Sequence, residues 1–165
     1  MISYREYLDE DFNIVDRFHD VPTYVRKTIA RSSYDMLMKN EVFWLDKLNY
    51  LDFVPNLVSV DGESIVMTYV GRQVTPKSLP NDWREQVYSI LNELAGVPCF
   101  HNDIKVEEIL VMEGKIHLVD FHHATASREE FVALKRSGKS GCSNSIDDYC
   151  AFINILGNME RVKCQ

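Results

Sequence analysis

Hydrophobic and polar positions alternate along the chain in patterns that predict most of its elements. Residues 24–29 read Tyr-Val-Arg-Lys-Thr-Ile, rich in β-branched and aromatic side chains, which predicts a strand. A helix is predicted over 34–48, because Leu37, Met38, Val42, Leu45 and Leu48 recur at three and four residues and form one apolar stripe. Ser32 or Ser33 can cap it. Phe53-Val54-Pro55-Asn56 ends the helix, and two apolar runs at 57–60 and 64–70 then flank Asp61-Gly62-Glu63, a strong hairpin signal. The polar stretch 71–80 carries two prolines and reads as a boundary between two halves. A second helix is predicted over 83–95, capped by Asn81 or Asp82, with Val87, Ile90, Leu91 and Leu94 on its core face. Two short strands follow at 109–112 and 115–119 around Glu113-Gly114. Residues 124–145 read as polar and irregular, and a last helix is predicted over 146–156, capped by Ser145. Residues 1–20 mix aromatic and aliphatic residues with acids and give no clear element. The resulting order is an α+β pattern with two unequal halves.

Composition narrows the function classes. The chain has 165 residues, of which 45% are hydrophobic and 26% charged, as expected of a globular protein with a substantial core. Its net charge of -7 argues against a broad nucleic-acid-binding surface. No apolar run approaches the roughly 20 residues that span a bilayer, and the opening residues Met1 to Glu6 lack a signal-peptide core. A cytoplasmic protein is therefore expected. Cys99, Cys142, Cys150 and Cys164 show no C-x-x-C spacing, so reduced thiols are expected rather than a zinc site or disulfide framework.

The chemistry concentrates in Phe100-His101-Asn102-Asp103-Ile104-Lys105-Val106-Glu107-Glu108-Ile109-Leu110-Val111 and in Leu118-Val119-Asp120-Phe121-His122. Asp103 precedes one predicted strand and Asp120 follows its partner, so a short hairpin brings both carboxylates toward one cleft. Lys105 is close enough in sequence to reach a phosphate held there. Two acids and a lysine at strand ends suit a metal–nucleotide substrate, because phosphoryl transfer needs charge neutralisation and an oriented hydroxyl more than covalent chemistry.

These segments resemble the catalytic loop H-R-D-L-K-x-x-N and the D-F-G motif of the protein-kinase-like superfamily. The resemblance extends over most of the chain, about 24–156. It implies a bilobal fold: an N-lobe over 1–72 with a small antiparallel sheet and a helix, and a truncated, mainly helical C-lobe over 73–165. Asp103 then stands for the catalytic aspartate and Lys105 for the phosphate-contacting lysine. Lys27 stands for the lysine that holds the nucleotide phosphates, and Glu41 for its helix partner. Tyr69 and Val70 fall at the hinge that binds adenine. Asp120 and Glu108 stand for the metal ligands, and Asp147 or Asp148 for the acid that ties the last helix to the loop. The implied cofactors are ATP and Mg²⁺ or Mn²⁺, with a protein or small-molecule hydroxyl as acceptor. His101 is expected to support the loop rather than act as a base.

The chain departs from the family pattern at Glu108, where the family has asparagine, and at His122, in place of the D-F-G glycine. No glycine precedes Gly62, so the turn near His19-Asp20-Val21-Pro22 cannot be a glycine-rich loop. No A-P-E-like segment lies between Asp120 and Asp147. This outline is similar to lipopolysaccharide, antibiotic and other minimal bacterial or viral kinases. The alternative is a pseudokinase that binds nucleotide or protein without transfer. Other phosphate chemistry on the same scaffold is a third possibility. Three further points stay open at this stage. Arg26 takes the place of Lys27 if the strand register slips by one. His117, His122 and His123 could join Asp120 in a metal cluster or belong to an ordinary loop. Serines 127, 137, 140 and 143 could be autophosphorylated or simply line a polar loop.

Overall fold

The computed structural model describes residues 3–8, 14–18, 24–28, 34–136 and 147–164. Within them the fold is α+β, with two antiparallel sheets and four α-helices. The first sheet has the order β1-β2-β3-β5-β4, formed by Ser3–Leu8, Ile14–Phe18, Tyr24–Thr28, Ser64–Thr68 and Leu57–Asp61. The sequence reading assigned no strands before residue 24. Charged residues interrupt the apolar positions of β1 and β2 and hide their period from a sequence scan.

Helix α1 runs from Tyr34 to Lys47 between β3 and β4. Its Leu37, Met38 and Leu45 are buried, as the apolar stripe predicts, and so is Leu48 just beyond its end. The expected hairpin forms with Asp61 opposite Ser64, so the turn itself is only Gly62-Glu63, and Gly62 takes φ 54°. β5 stops at Thr68, and Tyr69 and Val70 lie beyond it.

The second sheet has the order β6-β7-β8, from Arg72–Gln73, Ile109–Met112 and Lys115–Leu118. β6 was not legible in the polar connector. It pairs Arg72 with Val111 and needs Gly71 immediately before it. Gly71 has φ 116°, and a Cβ there would lie 2.3 Å from the Val111 carbonyl oxygen. Gly71→Ala is therefore expected to destabilise the protein by about 1–3 kcal/mol, through overpacking against backbone and an unfavourable φ. Urea unfolding measures this directly, and an unchanged midpoint would contradict it.

Helix α2 spans Trp83–Gly96 and buries Trp83, Val87, Ile90 and Leu94. Its N-cap is Asp82, but this side chain makes no capping bond and instead accepts from the Gln86 amide. Residues 124–145 are not wholly irregular, because α3 runs from Arg128 to Arg136. Ser127 accepts from the Glu130 N–H, and the Glu130 carboxylate reaches back to the Ala126 N–H. Ser127-Arg128-Glu129-Glu130 carries the S-x-x-E signal of a helix start. Helix α4 spans Asp148–Lys163, longer than expected, and its N-cap is Asp147 rather than Ser145. The Asp147 carboxylate accepts from the Tyr149 and Cys150 N–H groups. The caps Ser32 and Ser33, the turn at 19–22, Ser145, Cys142 and serines 137, 140 and 143 lie outside the described residues.

One contiguous apolar core joins these parts. Leu45, Leu48 and Ile65 meet Phe53, Leu118 and Phe121, and the cluster continues into Trp83, Leu94, Phe152 and Leu156. Trp44 and Trp83 are both buried in it. Among the described residues no helix is long and apolar enough to cross a membrane.

Candidate functional site

The register of β3 decides which basic residue faces inward. Lys27 sits opposite Ile65 of β5, itself fully buried, and the lysine is only 5% exposed. Arg26 faces the other way and lies 3.8 Å from the exposed Asp61 carboxylate. The ambiguity between the two residues is resolved in favour of Lys27. Its Nζ donates to Glu41 Oε2 of α1 at 2.9 Å and to Asp120 Oδ1 at 2.5 Å. Three ionisable side chains from three elements thus share one buried position. A charge is tolerated there only because it is paired.

The chain after β8 carries Asp120 to that position through a sharp local turn. Asp120 adopts φ 70°, a left-handed conformation uncommon outside glycine, and a short 3₁₀ turn over Phe121–His123 follows. The turn is fastened to α1: Asn40 donates to the carbonyls of His122 and Ala124 at 2.8 and 2.9 Å, and the Trp44 indole donates to Ala124. The helix that supplies Glu41 therefore also holds the segment that supplies Asp120. His122 Nδ1 donates to the same Asp120 oxygen. Burial would raise the Asp120 pKa, but His122 and Lys27 together hold it well below the usual carboxylate range. Glu41 goes the other way, its pKa raised because burial outweighs the pull of Lys27.

Asp103 sits on a loop that is braced from two sides. The Asp148 carboxylate, at the start of α4, accepts from the His101 and Asn102 N–H groups at 2.8 and 2.9 Å. Of the two acids offered by sequence, Asp148 ties the loop while Asp147 caps the helix. His101 Nε2 donates to the Val119 carbonyl at 2.9 Å, and its ring meets the Phe121 edge, which fits a supporting role. Asn102, at φ 68°, uses its amide to bond Phe100 O, His123 O and Thr125 Oγ1. The sequence signal for this was an asparagine, a residue that tolerates left-handed φ, directly before Asp103. Asp103 itself is 4% exposed and lies 3.1 Å from Lys105 Nζ.

Glu108 is near Asp120 but in a different state. Its Oε2 accepts from the Lys105 N–H at 2.6 Å. Burial first, and the Asp120 charge second, push its pKa up to about 8. For a divalent cation the ionised Asp120 is a suitable hard-oxygen donor, whereas Glu108 would first have to lose a proton. Because its folded pKa lies above its unfolded value of about 4.5, the folded state binds more protons between those values. Stability of chelator-treated protein is thus expected to fall as pH rises from about 4.5 through about 8, with a slope of up to ~1.4 kcal/mol per pH unit. Glu108→Gln should flatten that loss in denaturant titrations. An equally steep profile in the variant would contradict the assignment.

Two further side-chain sets converge here. One ligand atom each from Glu41, Asp120 and His122 lie within 4.8 Å of one another, as do one each from Asp103, His122 and His123. Among the described residues His117 of β8 belongs to neither set, and Asp120 shares a set with His122 but not with His123, so the cluster considered from sequence does not form as such. Tyr69 and Val70 lie between the two sheets, on the link from β5 to β6. No protein-family model and no curated protein matches this chain.

Proposed function

We propose that the protein is a minimal ATP-dependent kinase with a bilobal kinase-like fold, acting on a protein or small-molecule hydroxyl in the cytoplasm. The observation that carries this reading is the buried Lys27–Glu41–Asp120 network beside the Asp148-braced loop that bears Asp103. Lys27, held by Glu41, would bind the nucleotide phosphates, with Tyr69 and Val70 beside the adenine. Asp120 would hold Mg²⁺ or Mn²⁺, joined by Glu108 once deprotonated, and the ion would neutralise phosphate charge. Asp103 would accept the proton of the acceptor hydroxyl as its oxygen bonds to the γ-phosphorus and the bond to ADP breaks. Lys105, already paired with Asp103, would steady the transferred group.

A second reading, a nucleotide-binding pseudokinase, is favoured by one observation. Glu108 is uncharged near neutral pH and already bonded within its own loop, so the second metal position is weakly provided for. Thermal unfolding with and without Mg²⁺–ATP, run beside an assay of ATP turnover, separates the two. Stabilisation together with turnover supports the kinase, and stabilisation without turnover supports the binding module. Neither effect would remove both readings.

A further inference from the structure

We propose that Asp103, His122 and His123 form a binding site for a borderline transition-metal ion such as Zn²⁺, separate in chemistry from an oxygen-ligated Mg²⁺ position. One carboxylate oxygen and one nitrogen from each imidazole lie within 4.8 Å of one another. All three residues are buried, at 4%, 4% and 8% exposure. Two imidazoles and a carboxylate are a donor set that zinc and its neighbours take readily, with a fourth position left for water or substrate. Hard Mg²⁺ prefers oxygen ligands alone.

The surroundings prepare the ligands. A carboxylate oxygen can only accept, so His122 Nδ1 must donate to Asp120 Oδ1, and in the neutral ring the lone pair then resides on Nε2. A carboxylate behind a histidine, fixing its tautomer and orientation, is the usual outer support of a metal-bound imidazole. The His122 and His123 rings are held 4.1 Å apart between centroids. The backbone of His123 is pinned by the Asn102 amide, and that of His122 by Asn40. Two adjacent histidines and the reactive-loop aspartate are therefore positioned by bonds that do not involve the metal. If the phosphotransfer reading is right, on which this one consequence rests, a bound Zn²⁺ would occupy Asp103 and inhibit turnover.

The test is a titration of chelator-stripped, full-length protein carrying no histidine tag with Zn²⁺, in competition with a chromophoric chelator and without nucleotide. Zn²⁺ binding that excess Mg²⁺ does not displace is expected, weakened at least ~10-fold by His123→Ala and by His122→Ala. Wild-type affinity in folded variants, or no binding to the wild type, overturns the proposal. If the variants do not fold, X-ray absorption on the Zn²⁺-loaded wild type decides. Two imidazoles and an oxygen ligand support the site, and sulfur or no imidazole scattering rejects it. Because no ATP is present, failure here leaves the kinase reading untouched, and failure of ATP turnover leaves the metal site untouched.

Discussion

Lys27→Met is expected to lower stability by about 3–5 kcal/mol at neutral pH, because it leaves Glu41 and Asp120 buried without their shared cation. Their side chains are only 1% and 10% exposed, so water cannot take over the role of the lysine. The loss should also depend on pH. Burial already raises the Glu41 pKa with Lys27 present, and removing Lys27 deletes the largest opposing influence. Glu41 in the variant would then fold as the neutral acid. Since the folded state holds a proton that the unfolded state releases, stability of the variant should fall as pH rises above the ordinary carboxyl range. Urea unfolding near pH 5 and near pH 8 should show a larger deficit at the higher value. Adding Glu41→Gln to Lys27→Met should recover part of it. A deficit independent of pH, or no recovery, would mean that the lysine acts mainly through packing.

The second large effect separates the two aspartates. Asp103→Ala should reduce ATP turnover by about 10²–10⁴-fold, the range for losing a positioned general base. It should leave nucleotide-dependent stabilisation in place, because Asp103 would touch the acceptor rather than the nucleotide. Asp120→Ala should abolish turnover and Mg²⁺–ATP stabilisation together, since it removes the proposed metal ligand. That variant should also unfold more readily, because Lys27 and His122 each lose a bond to the Asp120 carboxylate. Thermal shift and turnover measured on the same samples distinguish these patterns. Identical behaviour of the two variants would contradict the division of roles.

The candidate site was more legible in the sequence than the whole fold was. Asp103, Lys105, Glu108 and Asp120 lie in two short segments with regular apolar spacing, so the β7–β8 hairpin between them could be read directly. Strand β3 and helix α1 were equally legible, and they carry Lys27 and Glu41. The face of β3 was not settled by its alternation, because each set, Tyr24, Arg26 and Thr28 or Val25, Lys27 and Ile29, carries one basic residue. Only the pairing of Lys27 with buried Ile65 settles it. Strand β6 has just two residues and no pattern of its own, and its position depends on the backbone approach that Gly71 permits. The start of α4 was ambiguous in the sequence because a serine and two aspartates adjoin there, and both residue types cap helices. The role of Asp148 depends on two backbone N–H groups 46 and 47 residues away, which no local pattern encodes. His122 reads in the sequence as a missing glycine or as a metal-cluster candidate beside Asp120, whereas in the fold its ring bonds the Asp120 carboxylate directly.

The most direct test of the proposed phosphotransfer is ATP turnover by the purified wild-type chain with Mg²⁺ or Mn²⁺, compared with Asp103→Ala under the same conditions. Labelled phosphate should pass from ATP to an acceptor or to the protein itself in the wild type and fall by at least ~10²-fold in the variant. Equal rates in the two proteins, at background level or above it, would contradict a kinase centred on Asp103.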